Sequence, residues 1–227
     1  MKRLITEAFS KPVHFPHISQ VVYPGDKVAV VADAFVVSRP GLLADFVAEI
    51  VAVGLDANDM TVLMLESERK MYEAPFRDAL PEEYRIAIRV VGHNPLDPQN
   101  LAMLGVAKDD SPIMLNRVLV DADVVIPIER HDAAINRGQD PALLGHFGMH
   151  SVIYPRFADD ETQKRFLFSG AKKNREKLSA ALVAEIDEIV YVLGVMMTVQ
   201  ILTHSHDEIT LIIIGNAKEI AKLIFDE

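Results

Sequence analysis

Four short apolar runs, at residues 27–32, 61–65, 87–91 and 123–128, recur along the chain with long segments between them, and this spacing narrows the folds open to it. Each run has strand length and little of the alternation of a one-sided strand, so each is expected to lie buried between helices. The segments between them are long enough for crossovers, which parallel pairing needs. The first carries a helix over 40–53, with Leu42, Leu43, Phe46, Ile50 and Val53 near one face and Gly54 as its stop. The expected class is α/β, a mainly parallel sheet with helices on both faces. Two later runs, 195–203 and 208–214, flank His204-Ser205-His206-Asp207 and read as a C-terminal antiparallel hairpin, followed by a helix over 217–225. Acidic residues at 159–161 open another helix through Phe168, and residues 172–194 read as one bent helix or two pieces.

Composition excludes several functions. The 227 residues include no cysteine, so a disulfide framework, a thiolate metal site and a cysteine nucleophile are all ruled out. A formal charge of −10 disfavours a nucleic-acid partner, and the one basic cluster, residues 172–177, has the spacing of a solvated helix face. The N-terminus has neither a long apolar run nor a small-residue cleavage site, and the longest apolar runs have strand length. No membrane association and a cytoplasmic location are expected. With half its residues hydrophobic, the chain is expected to form a single domain, 1–227.

Residues 92–130 add a rarer pattern. Asn94-Pro95 and Asp97-Pro98 force turns, because proline fixes its own φ and pushes the preceding residue out of the helical region. The segment then reads as a short strand or loop, a helix and a strand. With its His93-Asn94-Pro95 turn, Leu115-Asn116-Arg117 and the strand after Asp123, it resembles the N-terminal domain of the nickel-pincer lactate racemase family. Residues 27–33 resemble that family's first core strand with its terminal aspartate, and 187–195 resemble a late helical segment. Gly145, Gly148 and Pro155 hold the register of its glycine-rich loop. The resemblance implies the racemase N-terminal scaffold, a second domain absent from this chain, and a site in the cleft between the two.

Several positions depart from the family pattern. After Asp33, Val36 stands where the DxTRP motif has arginine, with Arg39 three residues on. Arg69 stands at the catalytic histidine, and arginine cannot act as a proton-transfer base near neutral pH. Ser151 stands at the lysine that tethers the pincer, so a covalent nickel-pincer nucleotide is not expected. The histidine preceding that loop has no clear counterpart near Glu129, Arg130 and His131.

In an open parallel sheet ligands collect beyond the C-terminal strand ends. Those ends carry the candidate substrate-binding residues Asp33, Arg39, Arg69, His93, Asn94, Glu129, Arg130 and His131. Asp33 could hold a hydroxyl or cap a helix; Arg39 and Arg69 could clamp a carboxylate or form surface ion pairs. His93 reads as a turn-stabilising residue or a base. His146 and His150 have the i, i+4 spacing of two ligands on one helix face, with Glu129, His131 or Asp132 left to complete a metal site; a structural pair is the alternative. A rim of acids, arginines and histidines suits a small 2-hydroxy acid or sugar acid. Three classes follow: an isomerase of hydroxy acids, a catalytically silent ligand-binding domain, and an assembly domain. An apolar patch at Phe147, Met149, Tyr154 and Phe157, or the edge strand 208–214, is expected to support a homo-oligomer or to dock the second domain.

Overall fold

The computed structural model describes residues 1–107, 110–131, 156–164, 188–204 and 208–225. Its centre is a six-stranded sheet of β1 (Val28–Ala32), β2 (Met60–Leu65), β3 (Arg89–His93), β6 (Val124–His131), β7 (Thr198–Thr203) and β8 (Ile209–Gly215), in the order β3-β2-β1-β6-β7-β8. All neighbours run parallel except β7 and β8, which form the expected antiparallel hairpin. The register sets Val28 beside both Met60 and Val124, which places β1 at the middle of the core. All five residues of β1 are buried, as a strand covered on both sides requires.

Alternation along the strands sorts the side chains onto two faces. Val28, Val30, Val62, Ile126, Val199 and Ile201 form the first, under α1 (Lys2–Ser10), α3 (Pro40–Val51) and α4 (Glu66–Ala79). Leu42, Leu43, Phe46, Val47 and Ile50 make the apolar stripe of α3, and the turn that follows it closes at Gly54 with φ +108, a conformation that glycine adopts without a Cβ clash. On the second face Ala29, Val31, Leu63 and Val125 pack against Leu115, Leu119, Phe157, Ile189 and Val190. The helix α6 (Ala217–Phe225) follows β8 as expected. Val13 pairs beside Gly215 and donates its N–H to the Ile214 carbonyl at 2.7 Å, covering one end of that edge.

The structure differs from the sequence expectations in places. The stretch expected to be a short strand or loop is a separate hairpin, β4 (Leu101–Val106) with β5 (Pro112–Asn116), bulged between Met103 and Gly105. It leads into the short α5 (Arg117–Val120). The third core strand starts at Arg89 rather than 87, because residues 82–84 form a 3₁₀ turn that holds Ile88 back toward Tyr84. Phe157, expected in an exposed patch, is buried in the second-face core, where its ring meets His93 edge-on. Residues 160–164 and 188–192 are helical; the rest of the two expected helices lies outside the described residues, as do Phe147, Met149, Tyr154, His146, His150 and Ser151.

Candidate functional site

The strand order creates one crevice by topology alone. From β1 the chain passes to β2 and β3 on one side, and β6 is added on the other, so the loops after β1 and β6 diverge. Asp33 stands at this point. Its backbone N–H donates to the Ile128 carbonyl at 3.1 Å, its Oδ1 accepts from the Val36 N–H at 2.9 Å, and its Oδ2 accepts from the Arg130 N–H at 2.8 Å. One carboxylate thus caps the short helix α2 (Ala34–Val37) and joins the ends of β1 and β6. Burial raises its pKa above the usual 3.8, against the pull of those two N–H donors and of the Arg156 and Arg130 charges.

Phe35 collects two cations next to that carboxylate. The Arg39 guanidinium carbon lies 3.7 Å from the ring centroid and that of Arg130 lies 4.8 Å away. Arg39 Nη1 donates to the Phe35 carbonyl at 3.0 Å and to Ser38 Oγ at 3.3 Å, which sets its direction. Asp33, Arg39 and Arg130 are therefore brought together, in contact with an aromatic side chain that the sequence pattern did not single out.

The β2 and β3 ends are arranged differently. Arg69 is bidentate to Glu66 at 2.8 and 2.9 Å and reaches Glu73 at 2.9 Å, and Arg77 continues this ladder along α4. Gly92 makes the ladder fit: a Cβ there would lie 1.8 Å from Glu66 Oε2 and 2.8 Å from Arg69 Nε. Glu68 accepts from the Leu65 N–H at 3.1 Å and forms a salt bridge with Arg156, both side chains being largely buried. Arg156 Nε has no hydrogen-bond partner among the described residues.

His93 is enclosed. Asn116 Oδ1 accepts from the Val118 N–H at 3.0 Å, which orients the amide so that Nδ2 donates to His93 Nδ1 at 3.0 Å. His93 Nε2–H then donates to the Ala158 carbonyl at 3.0 Å. Burial is the main reason its pKa falls from 6.5 to about 4, with the Arg156 charge adding to the effect and the Ala158 carbonyl opposing it. The ring is neutral at neutral pH. Asn94 turns its Oδ1 to the Leu96 N–H at 3.1 Å and serves the turn. Glu129 is buried on β6 and accepts from Gln200 Nε2 of the neighbouring strand; the Gln200 Oε1 has no partner among the described residues. His131 ends β6, beside Leu202 in the register. Among the described residues no group of three or more histidine, aspartate or glutamate side chains is placed to hold a metal ion.

Sequence reading alone did not single out Phe35, Arg156, Asn116 and Gln200 as site residues. Asn116 carried a signal, since it sits in the Leu115-Asn116-Arg117 segment. Gln200 carried none until pairing set it beside Glu129.

Comparison with known proteins gives a consistent result. The family model described as lactate racemase N-terminal domain matches residues 1–135. The lactate racemase apoprotein from Thermoanaerobacterium thermosaccharolyticum is similar in structure, with a TM-score of 0.62 at 14% identity, covering 98% of this chain and 53% of that one. A protein from Thermotoga maritima is similar with a TM-score of 0.62 at 16% identity, over 100% of this chain and 59% of its own. The chain thus spans somewhat more than half the length of these two structures, and at such identities the likeness is one of fold. No curated protein matches the sequence.

Proposed function

Because the chain belongs to the lactate racemase N-terminal domain family, we propose that it binds a small 2-hydroxy acid or sugar acid at the C-terminal ends of its parallel strands. The carrying observation is the switch-point cluster of one carboxylate and two guanidiniums around Phe35. A ligand carboxylate suits the planar guanidinium fork, and a hydroxyl beside it can donate to Asp33. If the domain takes part in chemistry, racemisation or epimerisation of a hydroxy acid is the reaction class. A second domain or a second copy of the chain would then supply the proton-transfer groups.

A second reading, a catalytically silent ligand-binding or assembly domain, is favoured by the state of two candidates. His93 has both ring nitrogens committed to protein partners, and Arg69 is held by Glu66 and Glu73. The donor set does not fit a tethered nickel-pincer nucleotide, since the hydroxyl of Ser151 cannot replace the lysine amine. No step of this reading runs through that group, and the intact mass is expected to equal that of the sequence.

Calorimetry of the full chain with D-lactate, L-lactate and gluconate tests binding. Arg39→Ala is expected to weaken the ligand that binds by about 1.5–3 kcal/mol, the scale of a charge-assisted bond. Unchanged affinity would move the site elsewhere. Exchange of the ligand's C2 proton in D₂O would favour the isomerase reading over the silent domain. A homo-oligomer is expected as well, and a strictly monomeric mass by light scattering over a concentration series would remove that part of the proposal.

A further inference from the structure

At the other end of the strands the second face contains a cleft of about 280 Å³, remote from the switch point. Its floor has a simple origin. Ala29, Thr61 and Arg89 form one row across β1, β2 and β3, and the next row is Val31, Leu63 and Val91. Where the next row fills the face with large apolar side chains, the first presents a methyl group and a hydroxyl. The overlying hairpin and α5 do not fill the space left above them. Asn116, Arg117 and Asp121 line it together with Asn58 and Asp59.

The charges around the cleft are unusual for this chain. Lys27, Arg89 and Arg117 line it in a protein whose formal charge is −10. Arg117 Nη2 is fixed by donating to the Leu101 carbonyl at 3.1 Å. Neither Lys27 Nζ nor the Arg89 guanidinium makes a hydrogen bond or ion pair among the described residues, although the chain has 33 acidic residues to offer. The lining thus carries three cations against the two carboxylates of Asp59 and Asp121, an excess of positive charge that suits an anion. Asp59, Asp121 and the Thr61 hydroxyl are the complementary acceptors, suited to ligand hydroxyl groups.

We infer that this cleft is a second small-molecule site, taking a small anion that also carries hydroxyl groups, such as a phosphorylated polyol. Asn116 lines the cleft and also donates to His93, so an occupant of the cleft touches the support of the strand ends.

Calorimetry of the full chain with glycerol 3-phosphate, inorganic phosphate and glycerol tests the inference. Binding of glycerol 3-phosphate, which is not a 2-hydroxy acid, is expected, weakened about tenfold or more by Arg89→Ala, since a tenfold loss is the scale of one charge-assisted bond. Thr61→Leu, which fills the floor, is expected to abolish it, with thermal melting confirming that both variants fold. Arg39→Ala at the opposite strand ends should leave this affinity in place, which keeps failure here distinct from failure at the switch point. No binding of glycerol 3-phosphate, or binding indifferent to both cleft variants, overturns the site. Phosphate binding as tightly as glycerol 3-phosphate overturns the hydroxyl half of the assignment.

Discussion

The two faces of one sheet have been put to different uses. On the first face, valine, isoleucine and methionine from the sheet meet leucine and phenylalanine from α3 and α4, and no buried polar side chain of the described residues enters that cluster. The second face and its covering segments hold the five buried polar residues His93, Asn116, Glu129, Thr198 and Gln200, and the cleft at Ala29 and Thr61. Burying a polar group costs stability unless it finds a partner, so a face that carries several must be built by long-range partners rather than by apolar packing alone. Asn116 with His93, and Gln200 with Glu129, are such partners. The first face is therefore held by apolar packing, and the second also depends on polar partners brought from distant segments.

That contrast can be broken experimentally, and the largest effect belongs to the first face. Phe46→Ala removes a fully buried ring from α3 and is expected to cost about 4 kcal/mol in denaturant unfolding, with the same loss at pH 7 and pH 5. A loss under 1 kcal/mol would mean that the core is far more deformable than its packing implies.

The next effect is confined to the second face and depends on pH. His93 has a folded pKa of about 4 against 6.5 unfolded, so below 6.5 the unfolded chain binds the extra proton. Stability from the neutral ring is fully present above the unfolded value and is lost as pH falls through this window, by about 3 kcal/mol in all. His93→Gln should flatten this part of the unfolding curve measured from pH 7 to pH 4. Parallel curves for the two proteins would show that the ring is not sealed. Asn116→Ala comes third, at about 2 kcal/mol, because it leaves His93 Nδ1 without its donor and the Val118 N–H without its cap. It should also raise the His93 pKa toward its ordinary value as water reaches the ring, a shift readable by NMR titration.

The smallest effect sharpens the comparison at the strand ends. Arg69→Ala breaks the Glu66 and Glu73 pairs on a partly exposed helix face, and about 0.5 kcal/mol or less is expected. Should the variant instead lose affinity for a bound hydroxy acid, the α4 ladder belongs to the ligand site and the boundary drawn at Asp33, Arg39 and Arg130 is too narrow.

Much of this was legible in the residues. The runs around Val30, Leu63 and Ile126 implied a buried parallel sheet, the hairpin before Ala217 appeared with its helix, and Asp33 was placed at a strand end because an apolar run stops there. Hydrophobic periodicity is local, so local elements can be read from it. The hairpin of β4 and β5 was read only as a short strand or loop, because Leu101–Val106, though apolar, pairs with Pro112–Asn116 through a bulged register that exists only in the fold.

By itself, then, the sequence determined the class of the fold, the order of its core elements and the end of the sheet where polar residues gather. Tertiary structure alone decided what those polar residues do. Arg69 and Arg39 look equivalent as strand-end arginines, yet one is held by carboxylates a turn or so along its own helix and the other lies on Phe35 beside Asp33. His93 reads as a strand-end histidine, and it becomes a neutral structural group only because Asn116 and Ala158, 23 and 65 residues further along the chain, close on its two nitrogens. A side chain's charge and availability depend on its solvation and partners, and partners brought in from distant segments exist only once the chain has folded.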